Sequence, residues 1–63
     1  MDELLTVAEV ADMLRVSTMT VYRLIRTGEI PAVRVGRNYR VRRADLEQYL
    51  AAQVVEPESL AES

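Results

Sequence analysis

The hydrophobic and polar positions divide the chain into two helical stretches, one alternating stretch and a third helical stretch. The first stretch repeats apolar residues at the spacing of a single helix face, at Val7, Val10, Ala11 and Leu14. Thr6 and Glu9 form a T-x-x-E capping box, in which each residue can satisfy the backbone amide of the other. The pattern therefore predicts a first helix that begins at Val7.

A second helix is predicted over residues 18–27, after a break of two or three residues. Ser17 is a favourable N-cap, and Gly28 is suited to the left-handed position that follows a helix. Three apolar residues cluster on the face that must meet the core: Val21, Leu24 and Ile25. The opposite face carries Met19, Arg23 and Arg26, flanked by Thr20, Thr27 and Tyr22.

The alternating stretch predicts a β-hairpin, with strands at residues 32–35 and 39–42 and a turn at 36–38. Pro31 prevents the preceding helix from continuing. Alternation predicts an inner face of Val33, Val35, Tyr39 and Val41, with Tyr39 packed on the second helix. The predicted outer face holds Arg34, Arg40 and Arg42, and the tip of the hairpin holds Arg37 and Asn38.

A third helix is predicted to begin near Arg43 or Ala44, with Leu46, Tyr49 and Leu50 along one side. We expect one domain over residues 1–53 and an acidic, disordered tail over residues 54–63. The predicted fold class is α+β. It is a small winged helix-turn-helix of three helices and a two-stranded β-hairpin wing, in the order α-α-β-β-α.

Composition excludes most catalytic chemistry. Cysteine and histidine are absent from the 63 residues, which removes thiolate and imidazole ligands and nucleophiles. The two glycines lie far apart and cannot form a phosphate-binding loop, and the acidic residues are not spaced like a calcium loop. We therefore expect no enzyme, no cofactor and no metal. Apolar runs are too short to span a bilayer, so we expect a cytoplasmic protein without a membrane partner.

Charge is distributed unevenly, although the net charge is only −2. Residues 1–14 hold four acids and no base, whereas residues 15–43 hold all eight arginines and one acid, Glu29. Residues 44–63 hold the other five acids. Because charges are screened beyond about 8 Å at physiological salt, a partner of the middle segment senses a strongly basic surface. An exclusive use of arginine fits recognition of phosphate and guanine, and codon bias would produce the same composition.

These elements together suit double-stranded DNA. A helix fits the major groove of B-DNA, and its N-terminal side chains then reach the base edges. The wing can approach the minor groove, where an arginine gains from the concentrated negative potential. Arg37, at the predicted turn, is best placed for that contact. Because DNA is the expected partner, we expect a nucleoid-associated location.

The chain also resembles a known family. Motifs that carry the resemblance are L-T-V-A-E-V-A at residues 5–11, V-S-T-M-T-V-Y-R-L-I-R-T-G-E-I-P-A at 16–32, R-V-G-R at 34–37, Y-R-V at 39–41 and D-L-E-Q-Y-L at 45–50. In order and spacing they are similar to the excisionase-type, MerR-like winged helix-turn-helix domain, over roughly residues 4–52. The resemblance implies binding of double-stranded DNA, either as a recombination accessory factor beside an integrase or as a small transcription regulator. Larger MerR-type regulators carry a further coiled-coil helix and an effector domain, and neither is inferred here.

The resemblance assigns positions to the contacts with DNA. It places Ser17, Thr18, Met19 and Thr20 near bases, Tyr22, Arg23 and Arg26 at bases or phosphates, and Gly36, Arg37 and Asn38 in the wing. The outer face of the hairpin adds Arg34 and Arg40 to the predicted DNA-binding residues. Arg42 and Arg43 are interpreted either as phosphate contacts or as partners of Asp45 and Glu47.

The sequence does not decide between several further partners. A single small module binds DNA weakly, so we expect tandem or repeated sites and cooperative self-association on DNA. The competing interpretation is a protein-interaction module that binds an acidic partner such as an integrase, an antitoxin or a polymerase subunit. RNA is less favoured, because the hairpin lacks solvent-facing aromatic side chains for stacking on bases.

Overall fold

A computed structural model describes residues 3–55 of the chain. Its elements follow in the order β1 (Leu4–Thr6), α1 (Val7–Leu14), α2 (Thr18–Arg26), β2 (Val33–Val35), β3 (Asn38–Arg42) and α3 (Arg43–Ala52). The predicted α+β fold class, with three helices and a hairpin, is confirmed. From residue 56 onward, the tail predicted over residues 54–63 lies outside the described residues.

Helix α1 begins where the capping box predicts. The Glu9 amide donates to Thr6 Oγ1 at 3.0 Å, and the Thr6 amide donates to Glu9 Oε1 at 2.8 Å. The helix stops because Arg15 adopts the left-handed conformation, with φ of 58°, and the Val16 amide donates back to the Ala11 carbonyl at 3.0 Å. Three residues then separate the two helices, within the predicted length of the connection.

Helix α2 begins at the predicted residue and ends at Arg26, one residue before the predicted end. Ser17 is its N-cap, and Ser17 Oγ accepts from the Thr20 amide at 3.2 Å. Thr27 is the C-cap, and Gly28 follows with a φ of 83°, the left-handed position that favours glycine. The amides of Glu29 and Ile30 both donate to the Leu24 carbonyl, which turns the chain toward the sheet.

Within residues 3–55, the sheet has three antiparallel strands in the order β1-β3-β2, one strand more than the hairpin predicted from the sequence. In the additional strand, β1, Leu5 lies opposite Val41, and both residues are buried. Three residues that lead directly into a capping box are too few to display strand alternation, so the pattern did not reveal β1. The order of elements is therefore β-α-α-β-β-α.

The register of the hairpin corrects the predicted faces of β2. Val35 pairs with Asn38, so the connection is the two residues Gly36 and Arg37, where the sequence predicted a turn over residues 36–38. Gly36 has a φ of 63°, as the first position of a tight two-residue hairpin turn requires. A shift of one residue moves every side chain of a strand to the other face. Arg34 is therefore opposite Tyr39 on the inner face, and Val33 and Val35 are on the outer face.

Val35, which the sequence placed on the inner face, is 49% exposed, in agreement with this register. Among the described residues, the buried core consists of eight apolar side chains from β1, α1, α2, the loop after α2, β3 and α3: Leu5, Val7, Val10, Ala11, Val21, Ile30, Val41 and Leu46. The predicted core faces of α1 and α2 are confirmed, with Leu14, Leu24 and Ile25 half-buried against this cluster.

Helix α3 begins at Arg43, directly after β3, and its Leu46 is fully buried. Tyr49 packs against the core as predicted, and Leu50 remains 42% exposed. The Arg43 amide donates to the Glu3 carbonyl at 2.9 Å, which ties α3 to the chain entering β1. Within residues 3–55, no helix has the length and apolar character to cross a bilayer.

The capping box predicts a stability effect at Thr6. We expect Thr6→Ala to lower the free energy of unfolding by about 1 kcal/mol, because the Glu9 amide loses its acceptor. Urea denaturation measures the change. Thr18→Ala is the matched control, because Thr18 is exposed in the first turn of α2 and should change stability by less than about 0.5 kcal/mol. Equal losses in the two variants would contradict the role of the box.

Candidate functional site

An aromatic contact joins α2 to the hairpin. The rings of Tyr22 on α2 and Tyr39 on β3 meet edge to face, with centroids 6.2 Å apart and planes at 69°. The guanidinium carbon of Arg34 on β2 lies over the Tyr39 ring, 5.4 Å from its centroid, within the range of a cation–π contact. Side chains of α2 and of both strands of the hairpin thus form one patch.

The outward face of α2 extends this patch. Met19 is 80% exposed and Tyr22 is 42% exposed, and both arginines of the face are exposed. Arg26 borders a depression between the helix and the hairpin, together with Tyr22, Ile25 and Tyr39. We name the whole the tyrosine–arginine surface, and its residues are Met19, Tyr22, Arg23, Arg26, Arg34 and Tyr39.

The hydroxyl groups at the N-terminus of α2 are partly engaged with each other. Ser17 Oγ and Thr20 Oγ1 are 3.1 Å apart and share a hydrogen bond, while Ser17 Oγ also accepts from the Thr20 amide. Thr20 is half-buried, and Thr18 is exposed. Ser17 therefore has a structural task as the cap of α2, whatever else it contacts.

The tip of the hairpin projects three predicted site residues into solvent. Gly36 and Arg37 form the turn, Asn38 begins β3, and all three are exposed. The positive φ of Gly36 fixes the direction of the turn, so Arg37 is carried at the far end of the strand pair.

A second group of arginines lies beside acidic residues. Arg42 Nε donates to Asp45 Oδ2 at 2.8 Å, and Arg43 Nε donates to Glu3 Oε1 at 2.7 Å. The partner of Arg42 is one of the two acids considered from the sequence, whereas the partner of Arg43 is Glu3, 40 positions away. Both arginines are therefore at least partly neutralised.

Arg40 belongs with this second group. It is half-buried on the face of β3 opposite Tyr39, and its guanidinium donates to the Tyr39 carbonyl at 3.1 Å. Hydrogen bonds from Thr6 lower the pKa of Glu9, and the positive charges of Arg40 and Arg43 lower that pKa further. The hydrogen bond and charge of Glu3 raise the pKa of Arg43.

The structure thus separates the predicted DNA-binding residues. It brings Met19, Tyr22, Arg23, Arg26 and Arg34 together on the tyrosine–arginine surface, with Ser17, Thr18 and Thr20 at the start of the same helix and Gly36, Arg37 and Asn38 at the tip of the wing. It places Arg40 on the other side of the sheet. Among residues 3–55, the ion pairs are those of Arg42 and Arg43, so the arginines of the surface and of the tip have no carboxylate partner there.

Tyr39 is the site residue that sequence reasoning left out. The sequence predicted correctly that it packs on α2 and against the core, but the assumed three-residue turn hid its contact with Arg34. The signal was present in the sequence. A glycine followed by one polar residue between two alternating runs is typical of a two-residue turn, and that turn pairs Arg34 with Tyr39.

No group of three or more acidic residues within the described part of the chain is close enough to hold a metal ion. The larger surface depression is lined mainly by α3 and the loop after α2, away from the tyrosine–arginine surface. The chemistry available at the site is therefore that of guanidinium groups, hydroxyl groups, aromatic rings and one thioether.

Two helices joined by three residues and followed by a β-hairpin define a helix-turn-helix protein with a wing. The chain belongs to the helix-turn-helix domain family, whose pattern it matches over residues 4–54.

The curated relatives share a shorter segment. A candidate DNA-binding protein of Mycobacterium tuberculosis, found in two strains, is 72% identical over 39 residues, which are 62% of this chain and 50% of that protein. YvgK, an uncharacterized protein of Bacillus subtilis, is 57% identical over 44 residues, which are 70% of this chain and 14% of YvgK. The match thus spans at most half the length of these relatives.

The contact between Tyr22 and Tyr39 predicts a measurable coupling. In a double-mutant cycle of Tyr22→Leu and Tyr39→Leu, urea denaturation should give an interaction free energy of about 0.5–1.5 kcal/mol, the range for edge-to-face aromatic pairs. A cycle of Tyr22→Leu with Tyr49→Leu is the control, because these rings do not form a pair, and its coupling should be near zero. Additive effects in both cycles would contradict the joining of helix and wing.

Proposed function

We propose that this protein binds double-stranded DNA in a sequence-specific manner, with α2 in the major groove and the wing at the minor groove. The proposal rests above all on one observation. Arg23, Arg26 and Arg34 share a surface that is continuous through the contact between the two tyrosines, and their charges are not paired within residues 3–55.

Size and direction support the assignment of grooves. A helix with its side chains is about 10–12 Å across and enters a major groove about 12 Å wide. The N-terminus of α2 carries Ser17, Thr18 and Met19, the positions that approach base edges when a recognition helix lies in the groove. Arg23 and Arg26 follow on the same face, within reach of bases or phosphates.

The wing supplies the second contact. Arg37 stands exposed at the turn, where it can enter the minor groove, with Gly36 and Asn38 beside the backbone. Arg34 is held over Tyr39 next to α2, which suits a phosphate between the two grooves. Arg40 lies on the opposite face of β3. It would contact DNA only if the sugar–phosphate backbone of one DNA strand curved around the sheet.

The known relatives support this function. The family is that of the helix-turn-helix domain, and the mycobacterial relative is named as a candidate for DNA binding. We propose a binding role without catalysis, either as an excisionase-like recombination accessory, with an integrase as a further partner, or as a small transcription regulator that contacts a polymerase. Either role places the protein on the nucleoid in the cytoplasm.

Retention on immobilised random duplex DNA at low salt tests the function. We expect the protein to be retained and to elute with salt, with the logarithm of the binding constant falling against the logarithm of salt with a slope near −5 if about five or six phosphates are neutralised. A protein that flows through at low salt would contradict DNA binding and favour the interpretation as a module for an acidic protein partner.

Two arginine variants test the tyrosine–arginine surface and the tip of the wing. Arg23→Ala and Arg37→Ala should each weaken binding by about 1–3 kcal/mol in a fluorescence anisotropy titration, without lowering the melting temperature, because neither side chain is buried. Arg42→Ala is the matched control, since Arg42 is paired with Asp45 and should leave affinity nearly unchanged. If Arg42→Ala weakens binding as much as the other two, binding is not specific to the tyrosine–arginine surface and the tip of the wing.

Cooperativity on repeated sites is a separate prediction. A single small module buries about 600–1,000 Å² of protein surface on DNA, which gives weak occupancy unless copies bind side by side. We expect the affinity per site to rise when a duplex carries two adjacent sites in place of one. Titration of the two duplexes measures the gain, and equal affinity per site would contradict cooperative binding.

A further inference from the structure

Met19 is an unusual member of the tyrosine–arginine surface. It is 80% exposed, the largest exposed fraction among the large apolar side chains of residues 3–55. Arg23 and Arg26 follow it by four and seven positions, so all three side chains share one face of α2. A flexible apolar side chain beside cations that have no carboxylate partner within residues 3–55 suits a partner that is anionic overall and apolar at one point.

Met19 is better placed than its neighbours at the start of α2 to contact a partner. Ser17 and Thr20 share a hydrogen bond at 3.1 Å, and Ser17 also caps the helix, so these hydroxyl groups are partly committed within the protein. Met19 is the second residue of α2 and projects from the first turn, the part of a recognition helix that lies deepest in the groove. We therefore expect Met19 to be among the side chains of α2 that contact the base edges.

The chemistry of the major groove limits which group of the DNA Met19 can contact favourably. The base edges present hydrogen-bond donors and acceptors, and the apolar group among them is the C5-methyl of thymine. A thioether side chain is unbranched and polarizable, so it can adapt its shape to a methyl group. We propose that Met19 contacts the C5-methyl of a thymine and thereby selects thymine at one position of the DNA site. This inference rests on the proposed function and names the base chemistry that it requires.

Replacement of thymine by deoxyuridine removes that methyl and preserves base pairing, which gives a direct test. The full 63-residue chain first selects duplexes from a random pool, and each thymine of the selected duplex is then replaced in turn. At one position we expect the loss of the methyl to weaken binding about fourfold, the effect of one buried apolar carbon. Met19→Ala should bind both forms equally, with an unchanged melting temperature.

Met13→Ala is the matched control, because Met13 is a 46% exposed methionine on α1, and this variant should keep the fourfold preference for the methylated duplex. The inference is overturned if the protein binds its selected duplex tightly but no position responds to deoxyuridine. It is also overturned if Met19→Ala keeps the preference, because another residue would then read the methyl. Failure to select any duplex would instead contradict the proposed function itself.

Discussion

The pairing of β3 on both of its edges is the constraint on which the rest of the structure depends. On one edge, Leu5 of β1 lies opposite Val41, and both side chains are buried in the core. On the other edge, the turn at Gly36 and Arg37 fixes the register of β2, so that Arg34 lies opposite Tyr39. Since a slip of one residue would reverse the faces of a strand, this register decides which arginine of the wing is turned toward α2.

A second consequence concerns charge. The chain has a net charge of −2, yet the fold does not mix its charges evenly. Asp45 pairs with Arg42 and Glu3 pairs with Arg43, on the side where β1, β3 and α3 meet, and the charges of Arg40 and Arg43 lower the pKa of Glu9. The arginines of α2 and β2 lie elsewhere, without ion pairs inside the described range. Because screening confines charge interactions to about 8 Å, the net charge has little bearing on what the tyrosine–arginine surface can attract.

Much of the fold could be predicted from local signals. Capping residues predicted the starts of α1 and α2, and Gly28 predicted that α2 ends just before it. Helical periodicity predicted the buried faces. These features could be predicted because they depend on neighbours within a few positions. Strand β1 could not be found in this way. Its three residues are defined by pairing with residues 40–42, a contact that only the folded chain creates.

The candidate site, like the fold, could be predicted where it depends on local signals and could not where it depends on contacts between distant residues. Periodicity correctly placed Met19, Arg23 and Arg26 on one outward face of α2. It placed Arg34 on the wrong face, because a turn one residue shorter than predicted reverses which residues of β2 share a face with Tyr39 of β3. The pairing of Arg43 with Glu3 was also missed, since these residues meet only after β1 joins the sheet. Local patterns thus found the helix surface, and the strand register determined how the wing joins it.

Titration of the isotope-labelled protein with duplex DNA, followed by backbone amide chemical shifts, tests the central claim most directly. The account predicts that the shifts change along residues 17–26 of α2 and around Gly36 and Arg37, while the amides of Glu9 and Asp12 on α1 and of Glu47 on α3 change little. Changes confined to α1 and α3, or no changes at low salt, would contradict the claim that α2 and the wing form one DNA-binding surface.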